Sequence, residues 1–238
     1  MRMSQKILDV PNHVTIIPDG NRRWARRRGL KPWVGHIRGI GDFAENIAWT
    51  ALDMGVRYLT VWVGSHDNLT KRSRIEIKML NKAYRIFIEK VLSSERVYRD
   101  KIVVRFLGEL NVLEKETIRL IKKVEAATRN HNGAHLTVLV AYSGDREMVA
   151  GFKKLARSKK KITDKAIRDS IWTGSLPPVD FIIRTGVEND PHNSAGFMMW
   201  LTKNSQLYYS EALWPAFTKE DFKKAIREYQ KRERRHGK

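Results

Sequence analysis

Short apolar segments alternate with longer amphipathic segments along the chain, and this alternation predicts its secondary structure. Five short segments that are rich in β-branched residues and bounded by turn residues predict buried strands. They are residues 14–17, 58–63, 102–107, 136–141 and 181–183. Segments in which apolar residues recur every three or four positions predict helices. These are residues 37–54, 74–96, 113–130 and 146–156, and a last helix begins at Thr218, with Asp221 at the capping-box position.

This order of strands and helices predicts an α/β fold with a largely parallel central sheet flanked by helices. The sequence contains no internal repeat and no linker rich in Pro or Ser, so we predict a single domain over residues 1–238. A chain of this length can bury a substantial core. Because active sites of such sheets lie at the carboxyl ends of the strands, the residues that follow each strand are the first candidates for function.

Composition and charge exclude several classes of protein. Cysteine is absent, which excludes a disulfide scaffold, a zinc knuckle and a thiol enzyme. No apolar segment approaches the ~20 residues that cross a bilayer, and the N-terminus lacks the apolar core of a signal peptide, so we expect a cytoplasmic protein. The 46 Lys+Arg against 26 Asp+Glu give a net charge of +20. That charge predicts an anionic partner, which is nucleic acid, an acidic membrane surface or a phosphorylated substrate.

Basic residues form three clusters, at residues 22–28, 153–161 and 227–235. We interpret the second and third as solvated helix faces, with a role at a membrane surface as the less favoured alternative. The first cluster follows the first predicted strand directly, in the sequence Pro-Asp-Gly-Asn-Arg-Arg at residues 18–23. Backbone amides of such a turn, and an arginine such as Arg23, can bind phosphate oxygens, while Asp19 offers the oxygen ligand that Mg²⁺ prefers. The alternative is an ordinary turn with surface arginines.

Several motifs together resemble those of one family, the cis-prenyltransferases or undecaprenyl diphosphate synthases. Residues 13–25 (HVTIIPDGNRRWA), with Gly35, His36 and Gly39, are similar to the first signature of that family. The similarity continues in order through SHDN at residues 65–68, AYSGDRE at 141–147 and DFIIRTGVE at 180–188. It extends to residues 197–200, 214–215 and 232–235, so that it covers nearly the whole chain.

The resemblance implies a fold, a reaction and partners. The fold is a parallel sheet with helices that enclose a hydrophobic cleft, usually in a homodimer. The reaction condenses an allylic prenyl diphosphate with isopentenyl diphosphate to form a cis-polyprenyl diphosphate, with Mg²⁺ as the cofactor. Loss of diphosphate builds negative charge that Mg²⁺ and arginine stabilise, and the attacking double bond must give a proton to a base.

The resemblance also implies roles for individual residues. Asp19 is the expected magnesium ligand and main catalytic carboxylate, and His36 and Asn68 are expected beside it at the reacting ends of the substrates. Substrate binding is expected of Gly20, Asn21, Arg22, Arg23, Trp24, Ser65, Arg184 and Glu188. It is also expected of Lys31 and Ser194, as substitutes for family residues that this chain lacks. Structural roles, as hydrogen-bonded residues or as part of the core, remain the alternative for His36, Asn68 and Trp24.

The chain departs from the family pattern mainly in the predicted acceptor site. Pro32 replaces an arginine that usually precedes Gly-His, which leaves Lys31 or Arg38 as substitutes. The segment 189–196 is three residues longer than usual, lacks an arginine and brings in Asp190, and Gln206 replaces a glutamate expected near the metal. The change at Pro32 weakens the allylic pocket, whereas the changes at residues 189–196 and at Gln206 weaken the binding of a doubly charged acceptor.

These departures leave alternatives open. In one alternative, the chain keeps the allylic diphosphate donor but uses another acceptor, such as a glycerol phosphate, a phenol or another alcohol. In another, the chain is a non-catalytic subunit of a heteromeric enzyme. Nucleic-acid binding rests on charge alone and lacks a recognised motif, so we do not favour it. We expect reversible association with an anionic membrane surface. Product length depends on which side chain closes the cleft, with Ile86, Phe87 and Leu92 as candidates.

Overall fold

A computed structural model describes residues 10–232 of the chain, apart from the side chains of residues 42–45. The two ends of the predicted domain 1–238, with Arg234 and Arg235 of the third basic cluster, lie outside the described residues.

The centre of the molecule is a parallel sheet of six strands in the described part of the chain, in the order β3-β4-β2-β1-β5-β6. The strands are β1 (His13–Ile17), β2 (Tyr58–Ser65), β3 (Val103–Leu107), β4 (His135–Tyr142), β5 (Phe181–Arg184) and β6 (Gln206–Tyr209). The prediction of a largely parallel sheet is confirmed, and the five predicted strands are β1 to β5. Sequence analysis missed β6, a short edge strand that contains none of the β-branched residues on which the prediction rested.

Helices cover both faces of this sheet. They are α1 (Asn21–Arg26), α2 (Pro32–Asp42), α3 (Trp49–Asp53), α4 (His66–Thr70), α5 (Arg74–Ser93), α6 (Glu95–Arg99), α7 (Lys115–Thr128), α8 (Gly144–Ser158), α9 (Asp164–Arg168) and α10 (Lys219–Lys231). The segments predicted at residues 37–54 and 74–96 are each divided in two, the first by a π-helical stretch at Phe43–Ala48 and the second at the cap residue Ser94. Thr218 and Asp221 form the predicted capping box of α10.

The core has one part on each face of the sheet, as expected when successive strand residues point to opposite faces. Val138 packs on the face covered by α5 and α7, with Ile88 and Ile121. Leu139 packs on the other face, with Tyr142 and Phe197. No helix in residues 10–232 is both long enough and apolar enough to cross a membrane.

Candidate active site

The turn between β1 and α1 carries Asp19, and hydrogen bonds from other parts of the chain hold its backbone. The Asp19 carbonyl oxygen accepts from the Trp214 amide at 2.9 Å and from the Thr185 hydroxyl at 2.9 Å. The Asp19 amide donates to the carbonyl oxygen of Ile17 at 3.0 Å. The carboxylate is therefore fixed at the carboxyl end of β1, where the topology of the sheet predicts an active site.

Two glycines make this turn possible. Gly20 adopts a φ of +96°, and a Cβ there would lie 2.7 Å from Leu213 Cδ2. Gly186 adopts a φ of +65°, and a Cβ there would lie 2.8 Å from the Asp19 carbonyl oxygen. Any other residue at either position would force the turn away from its neighbours.

Two arginines and a backbone amide surround the Asp19 carboxylate. Its Oδ1 accepts from the Gly20 amide at 2.5 Å and lies 3.3 Å from Arg23 Nη2, while its Oδ2 accepts from Arg184 Nη2 at 3.0 Å. The Asp19 side chain nevertheless remains 41% exposed. The carboxylate is thus oriented by cations and still open to a ligand that enters from solvent.

Arg184, the last residue of β5, is buried and connects Asp19 to the long segment that follows Glu188. Its Nη1 donates to the His192 carbonyl oxygen at 2.6 Å and to the Ser194 hydroxyl at 2.6 Å. Its Nε is buried without a partner among the described residues. A guanidinium that is held by several acceptors and keeps one unsatisfied donor is well placed to bind an anion.

Arg23 and Glu188 form an ion pair beside Asp19 and Arg184. Arg23 donates to the Glu188 carboxylate at 3.0 Å and to the Gly186 carbonyl oxygen at 2.5 Å, and Arg27 lies 2.8 Å from Glu188. Glu188 therefore acts on the site by orienting two arginines.

His36 on α2 lies beside a second group of charged residues. Its Nε2 accepts a hydrogen bond from Arg72 Nη1 at 2.9 Å, and Arg72 also donates to Glu76 at 2.7 Å. Because a guanidinium has donors only, the His36 proton is on Nδ1. Burial, together with the charges of Arg72 and Arg22, lowers the pKa of His36 to about 3. His36 is consequently neutral, and its one lone pair is already used.

Ser65 and Asn68 form the capping box of α4, directly after β2. Asn68 donates its amide N–H to the Ser65 hydroxyl at 3.1 Å, and its side-chain oxygen accepts from the Ser65 amide at 3.4 Å. The Asn68 side-chain nitrogen has no partner among the described residues and provides two donors to a ligand.

Most of these groups face one cavity of about 410 Å³ at the carboxyl edge of the sheet. Ten of the predicted site residues line it, namely Asp19, Gly20, Asn21, Arg22, Arg23, His36, Ser65, Asn68, Arg184 and Ser194. Trp24, Lys31 and Glu188 do not line it. Trp24 stacks under Arg28 at 4.4 Å and Lys31 is exposed, so Lys31 does not replace the arginine that is absent at position 32.

Sequence analysis missed two arginines that line the cavity, Arg26 and Arg72. Arg72 had a detectable signal, because it lies four residues before Glu76, with which it forms an ion pair across the start of α5. Arg26 had no such signal within its run of arginines.

A small apolar cavity of about 20 Å³ lies beneath the polar one and shares its Asn21 and His36 walls. Phe87 and Tyr84 from α5, Ile40 from α2 and Val61 from β2 contribute to its lining. This is the position of the predicted hydrophobic cleft, which is narrow in this structure. Of the three predicted floor residues, Phe87 lines it, whereas Ile86 is 40% exposed.

Two of the departures from the family pattern, Asp190 and Gln206, have less effect on the site than the sequence predicted. Asp190 is exposed, pairs with His192 at 3.0 Å and does not line the cavity, so its charge does not oppose an anion there. Gln206 begins β6, beside Phe181 at the start of β5, and donates nothing to the cavity. A glutamate at position 206 would therefore lie far from Asp19 of the same chain.

The residues present fit a magnesium ion that is shared with a substrate. Asp19 is the one carboxylate among the described residues that line the cavity, and the described residues contain no cluster of three or more acidic or histidine ligands. Mg²⁺ needs no such cluster, because it commonly binds through one or two carboxylates, substrate phosphates and waters.

The fold and the site define a class of protein, an α/β enzyme that binds phosphorylated substrates at the carboxyl edge of its sheet. A family model described as putative undecaprenyl diphosphate synthase matches residues 17–237. The chain belongs to this prenyltransferase family, which confirms the resemblance found in the sequence.

Individual relatives agree with this assignment. The chain is 38% identical to a tritrans,polycis-undecaprenyl-diphosphate synthase (geranylgeranyl-diphosphate specific) of Methanopyrus kandleri, over 99% of this chain and 90% of that protein. It is 37% identical to an isoprenyl transferase of Thermus thermophilus, over 96% of this chain and 89% of that protein. The crystal structure of lavandulyl diphosphate synthase from Lavandula x intermedia with dimethylallyl diphosphate matches with a TM-score of 0.87, at 26% identity, over 96% and 99% of the two chains.

Proposed function

We propose that this chain is a Mg²⁺-dependent cis-prenyltransferase that condenses an allylic prenyl diphosphate with isopentenyl diphosphate. The observation that carries the proposal is the Asp19 carboxylate, which lies between Arg23 and Arg184 in the cavity at the end of β1. An anion-binding cavity above an apolar one matches a substrate with a charged head and a hydrocarbon tail.

The donor's diphosphate would bind at the turn after β1. Asn21 offers a backbone amide at the start of α1, and Arg22, Arg23 and Arg26 line the same cavity. As the bond between the allylic carbon and the diphosphate breaks, negative charge grows on the departing oxygens. Fixed cations stabilise that charge more in the transition state than in the bound substrate, which lowers the barrier.

The acceptor's diphosphate would bind at Arg184 and Ser194. Arg184 Nη1 donates to the Ser194 hydroxyl at 2.6 Å, which holds the two side chains together. The Arg184 Nε has no partner among the described residues and supplies a further donor. Asn68 and Ser65 line the same cavity, and the free side-chain nitrogen of Asn68 would orient the reacting end of the acceptor.

Asp19 would hold Mg²⁺ together with substrate phosphates and waters. The ion, when bound, neutralises charge on the leaving diphosphate. The new carbon–carbon bond leaves one proton to be removed from the acceptor, and Asp19 is the carboxylate that lines the described cavity. His36 is less suited as the base, because its lone pair accepts from Arg72. We assign His36 to positioning Arg72.

The relatives suggest a donor. Because the Methanopyrus kandleri protein is named as specific for geranylgeranyl diphosphate, we propose that donor for this chain as well, with farnesyl diphosphate as the shorter alternative. We further propose a homodimer that associates reversibly with an anionic membrane.

One observation keeps a different acceptor as the second candidate. Segment 189–196 contributes no arginine, and its His192 carbonyl and Ser194 hydroxyl occupy Nη1 of Arg184. An acceptor with less charge than a diphosphate, such as a glycerol phosphate or a phenol, would need fewer donors there.

Incubation of the protein with Mg²⁺, geranylgeranyl diphosphate and labelled isopentenyl diphosphate tests the proposal. We expect labelled polyprenyl diphosphate with added cis double bonds, and loss of the reaction when EDTA removes the metal. If diphosphate is released only when glycerol phosphate or a phenol replaces isopentenyl diphosphate, the acceptor is different. Release of no diphosphate with any acceptor would favour the non-catalytic subunit.

A further inference from the structure

Strand β2 contains an irregularity just before the residues that line the active site. Trp62 lies opposite Leu139 of β4, and Gly64 lies opposite Val140. No β4 residue in the described register pairs with Val63, so β2 has one residue more than β4 at this point. Such a β-bulge bends a strand and changes the direction in which the following residues point. The bulge therefore determines where the capping box of α4 lies relative to the cavity.

Tyr84 on α5 forms a hydrogen bond to this bulge. Its hydroxyl donates to the Val63 carbonyl oxygen at 3.3 Å, and the residue is 3% exposed. Burial raises the pKa of Tyr84, so the hydroxyl keeps its proton and remains a donor. A buried hydroxyl or carbonyl without a partner costs free energy, and this bond satisfies both groups. The position of the bulge is thus connected to the position of α5.

Gly64 leaves the space that the Tyr84 hydroxyl occupies. A Cβ at Gly64 would lie 2.6 Å from the hydroxyl oxygen and 3.8 Å from Tyr84 Cζ. Apart from its chain neighbours, it would meet nothing else among the described residues within 4 Å. The φ of Gly64 also lies outside the left-handed region that favours glycine. The hydroxyl of Tyr84 is therefore what excludes a side chain at position 64.

We propose that Tyr84 is a positioning residue for the reaction, which acts through the bulge at Val63. Its hydroxyl holds the end of β2 and so fixes Ser65 and Asn68, both of which line the polar cavity. Tyr84 lines the apolar cavity and does not itself line the polar one. The inference rests on the proposed function, because Asn68 is assigned there to orient the reacting end of the acceptor.

The alternative is that Tyr84 only fills the wall of the apolar cavity. A phenylalanine would fill that wall equally well, since the aromatic ring is the same. It would also leave room for a small side chain at Gly64, because Cζ lies at an ordinary contact distance. The hydroxyl is thus the part of Tyr84 that this alternative does not explain.

Tyr84→Phe tests the proposal, because it removes the hydroxyl and keeps the ring. We expect kcat per binding site for the allylic diphosphate to fall about tenfold, which corresponds to one lost hydrogen bond. Expressing kcat per binding site separates misplacement of Asn68 from partial unfolding, since unfolding removes binding sites and activity together. Product length should stay the same, because the ring that lines the apolar cavity remains.

The control Tyr98→Phe removes a bond of the same kind elsewhere in the molecule. The Tyr98 hydroxyl donates to the Leu92 carbonyl oxygen at 3.0 Å, and Tyr98 lies on α6, where it lines neither cavity. Its removal should leave kcat unchanged. A full kcat in Tyr84→Phe would overturn the proposal, and so would an equal fall of kcat in the control.

A double-mutant cycle with Gly64 tests the contact itself. Gly64→Ala places a Cβ against the Tyr84 hydroxyl and should lower both the stability against urea and kcat, the latter by at least about tenfold. The double variant G64A/Y84F should recover the stability and the kcat of Y84F, because the hydroxyl is gone. Equal harm from Gly64→Ala in the two backgrounds would overturn the proposal. Urea unfolding needs no substrate, so failure of the contact and failure of the proposed reaction give different results.

A second cycle tests whether Tyr84 acts through Asn68. Asn68→Ala removes the side chain that the bulge is proposed to orient, so adding Tyr84→Phe should then lower kcat by less than about threefold. A full tenfold loss in both backgrounds would show that Tyr84 acts by another route, in conflict with the proposal. Recovery of stability in G64A/Y84F without any effect of Tyr84→Phe on kcat would make the bond purely structural and would overturn it as well.

Discussion

At the scale of single residues, the site depends on side chains whose partners leave them few alternatives. Arg184 shows this best, because one guanidinium bonds Asp19, a backbone carbonyl and Ser194. The turn after the first strand predicted Asp19 and Arg23 as candidates for phosphate binding, and the resemblance predicted Arg184. The structure brings these three side chains together. The sequence was not sufficient to find that His36 accepts from Arg72, because that contact joins α2 to the residues after α4 and depends on tertiary packing.

His36 provides a prediction for stability at acid pH. Burial lowers the pKa of His36 to about 3 and that of His13 to about 4, whereas both return to about 6.5 on unfolding. Below pH 6.5 the unfolded chain therefore binds protons that the folded chain does not, and stability falls as pH decreases. Between pH 6 and 5 each histidine should contribute a loss of about 1.4 kcal/mol per pH unit.

The variant His36→Gln tests this prediction, because its amide oxygen can still accept from Arg72. Urea unfolding between pH 7 and 5 should show a smaller pH dependence for the variant, by roughly the share of one histidine. An unchanged slope would mean that His36 is protonated in the folded protein, in conflict with its bond to Arg72.

At the scale of elements, glycines on α2 decide how closely that helix approaches the site. Trp214 Nε1 donates to the Gly39 carbonyl oxygen at 2.9 Å, and a Cβ at Gly39 would lie 2.4 Å from Trp214 Cδ1 and 2.5 Å from Asn21 Oδ1. At Gly41, on the same helix, a Cβ would meet nothing within 4 Å. The two positions therefore form a matched pair.

Gly39→Ala should destabilise the protein by about 1–3 kcal/mol, because α2 must move away from Asn21 and Trp214. Gly41→Ala should instead be neutral or stabilising by up to about 1 kcal/mol through helix propensity. Chemical denaturation measures both. Equal effects of the two substitutions would show that α2 does not pack as described.

The helices show how far apolar periodicity in the sequence can predict secondary structure. The long segments with strong apolar spacing were predicted well, as for α7 and α8, since each buries one continuous stripe. The short helices α1 and α4 were not predicted, because helices of six and five residues carry too little periodicity. Turn chemistry nevertheless predicted a function for residues of α1, and the resemblance predicted one for Asn68 of α4.

At the scale of the whole molecule, the apolar cavity between α2, α5 and the sheet must admit a prenyl chain. It measures about 20 Å³, so a long product requires side chains of α5 to move. Phe87 lines this cavity, whereas the preceding residue, Ile86, points out from the same helix and is 40% exposed.

Phe87→Ala should lengthen the main product by one or more isoprene units, since it removes the largest apolar side chain that lines the cavity from α5. Ile86→Ala is the control and should leave product length unchanged. Thin-layer or mass analysis of the dephosphorylated products gives the answer. Identical product lengths for the two variants would place the end of the growing chain elsewhere.

The central claim is that Asp19 performs the chemistry, and Asp19→Ala tests it most directly. The backbone of residue 19, held by Trp214 and Thr185, should keep the turn in place, so allylic diphosphate binding without metal should change little. We predict that kcat falls by at least about 1,000-fold in the presence of Mg²⁺, the scale seen when a main electrostatic group is removed. A variant that binds the donor and turns over at the rate of the unaltered enzyme would contradict the account.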